Sequence, residues 1–152
     1  MFTNMLFIVL SGPLLVYWFR YTCLLILNAR TVHDYASELA AANGLTFPSI
    51  EMRLAAAPQC GRELDSLARE LDRDYRNLMA LMQHVAEFRA AGRRLEHRLL
   101  LADYHVMRAC YSACKRLSLR HCRGPLQEMA LIVRHLADAM GESTYGAAEF
   151  CG

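Results

Sequence analysis

Several side chains in the second half of the chain could share a metal ion. Cys110, Cys114 and His121 are separated by steps of four and seven residues, which return to one face of an α-helix, and Asp103 lies on that face too. Thiolate, imidazole and carboxylate groups are ligands that zinc and iron accept, and His135 of the next predicted helix could add a fourth. This set is the candidate for a metal-binding or redox centre.

The remaining sequence argues for a structural role of these residues. The sequence contains no CxxC pair, and the same helical face carries Leu99, Val106 and Leu117. Small cysteines are ordinary residues of helix crossings. No ExxH, CxxCH, GxSxG, P-loop or GxGxxG motif is present. We therefore expect a protein without a catalytic centre and without a bound metal or cofactor, and six cysteines that are reduced thiols.

Basic residues are concentrated near the end of the same predicted helix. No acidic residue occurs from 108 to 123, and the basic ones are Arg108, Lys115, Arg116, Arg120 and Arg123. One interpretation is contact with anionic lipid headgroups or with an acidic partner. The other is a favourable interaction with the negative end of the helix dipole. Both interpretations remain open from the sequence.

The N-terminal segment is predicted to be a membrane anchor. Residues 5–27 carry one charge, Arg20, and form a helix long enough to cross a bilayer. No basic stretch precedes the segment and no small-x-small site follows it, which argues against a cleaved signal peptide. Arg30 flanks the C-terminal side, so the positive-inside rule places the N-terminus outside and the rest in the cytoplasm of a bacterial inner-membrane protein. The alternative is a buried helix.

Arg20 has two explanations within this anchor. Its side chain could extend toward the headgroups, surrounded by an interfacial belt of Tyr17, Trp18, Phe19 and Tyr21. Alternatively, it pairs with an acidic group of a neighbouring transmembrane helix, a lipid phosphate or an anionic cofactor. In both cases these residues are candidates for lipid or partner contact.

The rest of the chain has helical periodicity. The pattern predicts helices over about 32–43, 48–57, 61–91, 94–122 and 126–140. The two longest are joined by a short turn and should form an antiparallel hairpin, which the last helix completes. We thus predict an all-α fold: a single transmembrane anchor at 1–30, a small cytoplasmic helical bundle at 31–141 and a flexible tail at 142–152.

The segment ELAAANGLTFPSIEMRL, residues 38–54, resembles a helix-turn-helix DNA-binding motif. The match consists of a small residue, a turn glycine and core apolar residues, namely Ala40, Gly44, Leu45, Ile50 and Leu54. Asn43 departs from the pattern, which usually has an apolar residue there. The second helix offers Ser49, Glu51 and Arg53, too little positive charge to neutralise phosphates well. We interpret the segment as a structural corner and expect no nucleic-acid partner.

These observations favour a non-catalytic accessory, assembly or scaffold subunit of a larger membrane complex, such as an energy-transducing, electron-transport one. Its expected partners are other membrane-protein subunits and anionic lipid headgroups. The reasons are an anchor rich in aromatic residues, an arginine within it, and a helical bundle without a recognisable site. The alternatives are a membrane-anchored helix-turn-helix regulator and a metal-binding or redox helical module.

Overall fold

The structure, a computed structural model, describes the backbone of residues 2–28, 35–56, 61–84, 95–117 and 122–150. Every element in these ranges is an α-helix: α1 (Phe2–Asn28), α2 (Tyr35–Asn43), α3 (Phe47–Ala55), α4 (Gly61–His84), α5 (Leu95–Arg116) and α6 (Arg123–Phe150). The all-α prediction is therefore confirmed for the described chain. Two compact units are formed, Met1–Arg30 and Thr31–Gly152.

The prediction of a transmembrane anchor is wrong. Within the described residues, no helix combines the length and the apolar character needed to cross a bilayer. A spanning helix needs about 20 predominantly apolar residues. α1 has 27 residues, and its described part includes the polar side chains of Ser11, Arg20 and Thr22. The predicted single-pass topology and inner-membrane location are therefore wrong as well.

α6 is the central helix of the second unit. It packs against α2, α3, α4 and α5. Its buried apolar residues form one broad stripe: Leu126, Met129, Ala130, Ile132, Val133, Leu136, Ala137 and Met140. A broad apolar stripe is stable only when other helices cover it. This distribution explains why the last long helix lies inside the bundle.

α4 and α5 form the antiparallel pair. Asp72 contacts Tyr104, whereas Asp65, one heptad earlier on α4, contacts Tyr111, one heptad later on α5. The buried stripe of α4 follows the predicted helical period and consists of Leu67, Leu71, Tyr75, Leu78 and Met82. Within the described residues, α4 and α5 meet through long side chains and not through a close approach of their backbones.

The buried face of α5 agrees with the predicted one only in part. Leu100, Asp103 and Met107 of the predicted face are buried, and so are Tyr104 and Tyr111, which were not predicted. Val106 and Leu117, which were predicted to face the core, are 43% and 69% exposed. The tyrosine rings replace them because the ring of Tyr104 stacks on that of Tyr75 at a centroid distance of 3.9 Å and an interplanar angle of 7°.

The corner between α2 and α3 is held by a glycine and a remote aspartate. Gly44 has φ +63°, a left-handed conformation that glycine adopts without steric cost. The Leu45 amide donates to the Ala40 carbonyl at 2.9 Å. The buried carboxylate of Asp74 on α4 accepts from the Thr46 amide at 2.6 Å and from its hydroxyl at 3.0 Å. The start of α3 is therefore capped by another helix.

α6 continues past Gly141, where the sequence predicted its end. The helix runs to Phe150, so that boundary is wrong. Gly141 is buried against Tyr35, and a Cβ atom at residue 141 would overlap the Cβ of Tyr35. One turn earlier, the buried Asp138 accepts a 2.6 Å hydrogen bond from the Ala36 amide. The glycine therefore permits the close approach of α2 and does not end the helix.

Candidate functional site

Two of the predicted basic contact residues are paired within the bundle. Arg108 of α5 lies 3.0 Å from a carboxylate oxygen of Asp72, and Lys115 lies 2.6 Å from one of Asp65. The second oxygen of each carboxylate accepts from a tyrosine hydroxyl at 2.8 Å, Tyr104 for Asp72 and Tyr111 for Asp65. Each aspartate therefore joins one tyrosine and one cation of α5 to α4.

The hydrogen bonds between α4 and α5 shift the pKa values of Asp65, Tyr104 and Tyr111. The hydrogen bond from Lys115, followed by that from Tyr111, holds the pKa of Asp65 below its ordinary value. Burial raises the pKa of the Tyr104 hydroxyl, and its hydrogen bond to Asp72 raises it further. The same two causes, with Asp65 as the acceptor, raise the pKa of Tyr111. Both tyrosines therefore act as neutral hydrogen-bond donors, and Asp65 acts as a charged acceptor.

Acid should weaken the α4–α5 pair. Because the folded pKa of Asp65 is below its unfolded value, its stabilising contribution is complete above pH about 4 and is lost as the pH falls through the folded pKa. The loss should be below about 1 kcal/mol, since the Lys115 side chain is 60% exposed and solvent screens the pair. Urea unfolding followed by circular dichroism between neutral and acidic pH should show a flatter dependence for Asp65→Asn.

The matched control for this experiment is Glu142→Gln, which removes an exposed carboxylate of α6. It should leave the acid dependence of the unfolding free energy close to that of the unchanged chain. Equal acid dependence in Asp65→Asn and the unchanged protein would contradict the coupling of Asp65 to Lys115.

The paired residues line a groove between α4 and α5. Its volume is about 610 Å³, and Arg69 and Arg116 line it together with Asp65, Asp72, Arg108 and Lys115. Met129 of α6 contributes to the lining as well. Of the other two basic residues of the prediction, Arg120 lies outside the described residues, and Arg123 donates to the Ala55 carbonyl at 3.3 Å. The structure thus joins Arg108, Lys115 and Arg116 at one groove, and two of the three have internal acidic partners.

The candidate metal ligands do not form a metal centre in the described part of the chain. No group of three His, Cys, Asp or Glu residues with suitable geometry occurs among the residues described. Cys110 and Cys114 are free thiols one turn apart on α5, and His121 lies outside the described residues. Burial lowers the pKa of His135. Burial and a neighbouring thiol, Cys114, raise the pKa of Cys122.

The corner that resembles a helix-turn-helix motif has the expected packing. Ala40, Leu45, Ile50 and Leu54 are all buried. The cation of its second helix is already paired, because Arg53 lies 3.6 Å from Glu63 and 3.5 Å from Glu70. Carboxylates beside the only arginine of α3 would repel the phosphates of a duplex. The geometry therefore favours a structural corner.

α1 carries most of the large apolar side chains that are exposed in the described chain. Its exposed apolar residues, between 48% and 69% accessible, are Leu14, Leu15, Val16, Tyr17, Trp18, Tyr21, Leu24 and Leu25. All eight described residues from Ser11 to Trp18 are exposed, which covers more than two helical turns and hence every side of the helix. The rings of Tyr17 and Tyr21 stack on one another with centroids 6.4 Å apart. Their predicted role in partner contact stays a prediction.

The connection between α4 and α5 was not predicted from the sequence; it consists of Asp65, Asp72, Tyr104 and Tyr111. A signal was present, because both pairs are separated by one heptad: Asp65 and Asp72 on α4, and Tyr104 and Tyr111 on α5. Each tyrosine is also followed four residues later by a cation. Equal spacing on two antiparallel helices brings the pairs into register.

No protein-family model matches this sequence, and comparisons with curated proteins and with solved structures find no match.

Proposed function

We propose that this chain is a non-catalytic accessory subunit of a larger protein complex, and that α1 is the element that joins it to the complex. The observation that carries this proposal is the exposure of α1. Single exposed apolar residues are normal on proteins, but a contiguous apolar surface usually marks an interaction site. Trp18 and Tyr17 belong to this surface, at 64% and 69% exposed, and such residues are enriched among those that dominate binding energy.

The distribution of exposure indicates the kind of partner. Because the helix is exposed on every side from Ser11 to Trp18, one helix lying beside it would cover only one stripe. A second copy of α1 would therefore leave most of the surface in water. An apolar cleft between helices of a partner subunit encloses several sides at once. We assign α1 to such a cleft.

The test uses the full chain, tagged and expressed in its native cells. The chain should purify with one stoichiometric protein, and Leu15→Glu should weaken binding to that purified protein by about tenfold or more, since it removes a buried leucine and adds a charge. Met52→Glu on α3 is the matched control, because Met52 is 70% exposed and Leu15 is 69% exposed. It should leave the affinity unchanged.

The single tryptophan of the chain supplies a direct measurement. Trp18 fluorescence should shift to shorter wavelength when the purified partner is added, because its ring leaves water. The proposal is overturned if the purified chain has no stoichiometric partner, or if it self-associates through α1. Equal affinity of Leu15→Glu and the unchanged chain would overturn it too.

A further inference from the structure

The groove between α4 and α5 has a surplus of positive charge. Four cations line it, namely Arg69, Arg108, Lys115 and Arg116, against two carboxylates. Both carboxylates are already paired with α5. Each forms an ion pair with a cation at one oxygen and accepts a hydrogen bond from a tyrosine hydroxyl at the other. Within the described part of the chain, Arg69 and Arg116 form no ion pair, although the charge of Arg69 helps to hold the pKa of Asp65 low. Both guanidinium groups can therefore donate hydrogen bonds to an anionic ligand in the groove.

The cations extend along the groove and do not converge on one point. Arg108 and Lys115 are seven residues apart on α5, which corresponds to about 10 Å along a helix. Their aspartate partners fix them, since Asp65 and Asp72 are separated by the same interval on α4. A compact anion such as phosphate would reach only part of this row. An elongated ligand with several negative charges matches it along its length.

The groove is poorly suited to a nucleic acid. Single-stranded binding proteins offer aromatic rings on which bases stack. Among the described residues, Tyr111 is the one aromatic residue that lines the groove. It is 8% exposed, and its hydroxyl binds Asp65. Carboxylates of a polypeptide need no stacking surface and form forked hydrogen bonds with arginine.

We propose that the α4–α5 groove binds an acidic peptide segment of another protein, with Arg69 and Arg116 as its principal carboxylate ligands. Arg69 lies on the α4 wall and Arg116 in the last turn of α5, so a ligand that reaches both crosses the groove. Arg108 and Lys115, whose charges are offset by their aspartates, present their remaining N–H donors along the path. This site is distinct from the apolar surface of α1 and does not depend on it.

The test is a titration of the full chain with a fluorescein-labelled peptide of about twelve residues in which glutamate alternates with serine, long enough to span the groove. Fluorescence anisotropy should report saturable binding that weakens between about 50 and 200 mM salt. Arg69→Gln and Arg116→Gln should each raise the dissociation constant about tenfold, the loss expected for a charge-assisted hydrogen bond.

Arg73→Gln is the matched control, because Arg73 is an exposed arginine of α4 that does not line the groove. It removes the same charge and should leave peptide binding unchanged, as should Leu15→Glu in α1. The proposal is overturned if the peptide does not bind, if Arg73→Gln weakens binding as much as Arg69→Gln, or if inorganic phosphate or a single-stranded oligonucleotide displaces the peptide at a lower concentration than unlabelled peptide does.

Discussion

Replacement of Tyr104 by alanine should lower the free energy of unfolding by about 3 to 5 kcal/mol. Tyr104 is fully buried, and its ring stacks on Tyr75 at 3.9 Å while its hydroxyl donates to Asp72 at 2.8 Å. The substitution removes the ring from a space that α4 and α5 cannot close, because long side chains determine the separation of these helices. It also leaves one oxygen of Asp72 without its tyrosine donor. Urea unfolding followed by circular dichroism measures the loss.

Two further variants separate the contributions of the ring and the hydroxyl. Tyr104→Phe keeps the stacked ring and should cost about 1 kcal/mol, the typical value of one hydrogen bond. Tyr17→Ala makes the same truncation at a side chain that is 69% exposed on α1, and should leave the unfolding of the second unit unchanged. A loss for Tyr104→Ala no larger than that for Tyr104→Phe would show that the ring does not support the α4–α5 pair.

Gly141→Ala should destabilise the protein by about 1 to 3 kcal/mol, the usual cost of overpacking. This expected change in stability is opposite in sign to the effect of helix propensity, which favours alanine over glycine within a helix by about 1 kcal/mol. Packing dominates because the added methyl group would overlap the Cβ of Tyr35, and the Cγ of that residue would lie 3.2 Å away. The overlap would lie next to the hydrogen bond that the Ala36 amide donates to Asp138. Thermal unfolding at neutral pH measures the change.

Gly124→Ala provides the comparison for this substitution. Gly124 lies in the first turn of the same helix, and a Cβ added there meets no atom within 4 Å among the described residues. It should therefore be neutral or slightly stabilising. Tyr35→Gly combined with Gly141→Ala removes the overlapping atom and should recover part of the stability lost in Gly141→Ala alone. A stabilising effect of Gly141→Ala by itself would contradict the close packing of α2 on α6.

Local periodicity predicted the described helices of the second unit well. The stripe from Leu67 to Met82 on α4 is buried as expected, and α5 lies antiparallel to α4. The buried stripe follows from the spacing of apolar residues within one helix. The antiparallel pairing follows from the short connection between two long predicted helices. The same kind of reasoning failed for α1, since no described helix combines the length and the apolar character needed to cross a bilayer.

The sequence by itself thus determined that the described chain is helical and which face of α4 lies inside. The tertiary structure decided which tyrosines join the buried face of α5, because Tyr104 and Tyr111 can be buried only where Asp72 and Asp65 accept hydrogen bonds from their hydroxyls. It also decided that Gly141 continues α6, since that depends on the position of Tyr35. Both outcomes depend on partners that are distant in the sequence, and the pattern of one segment contains no information about them.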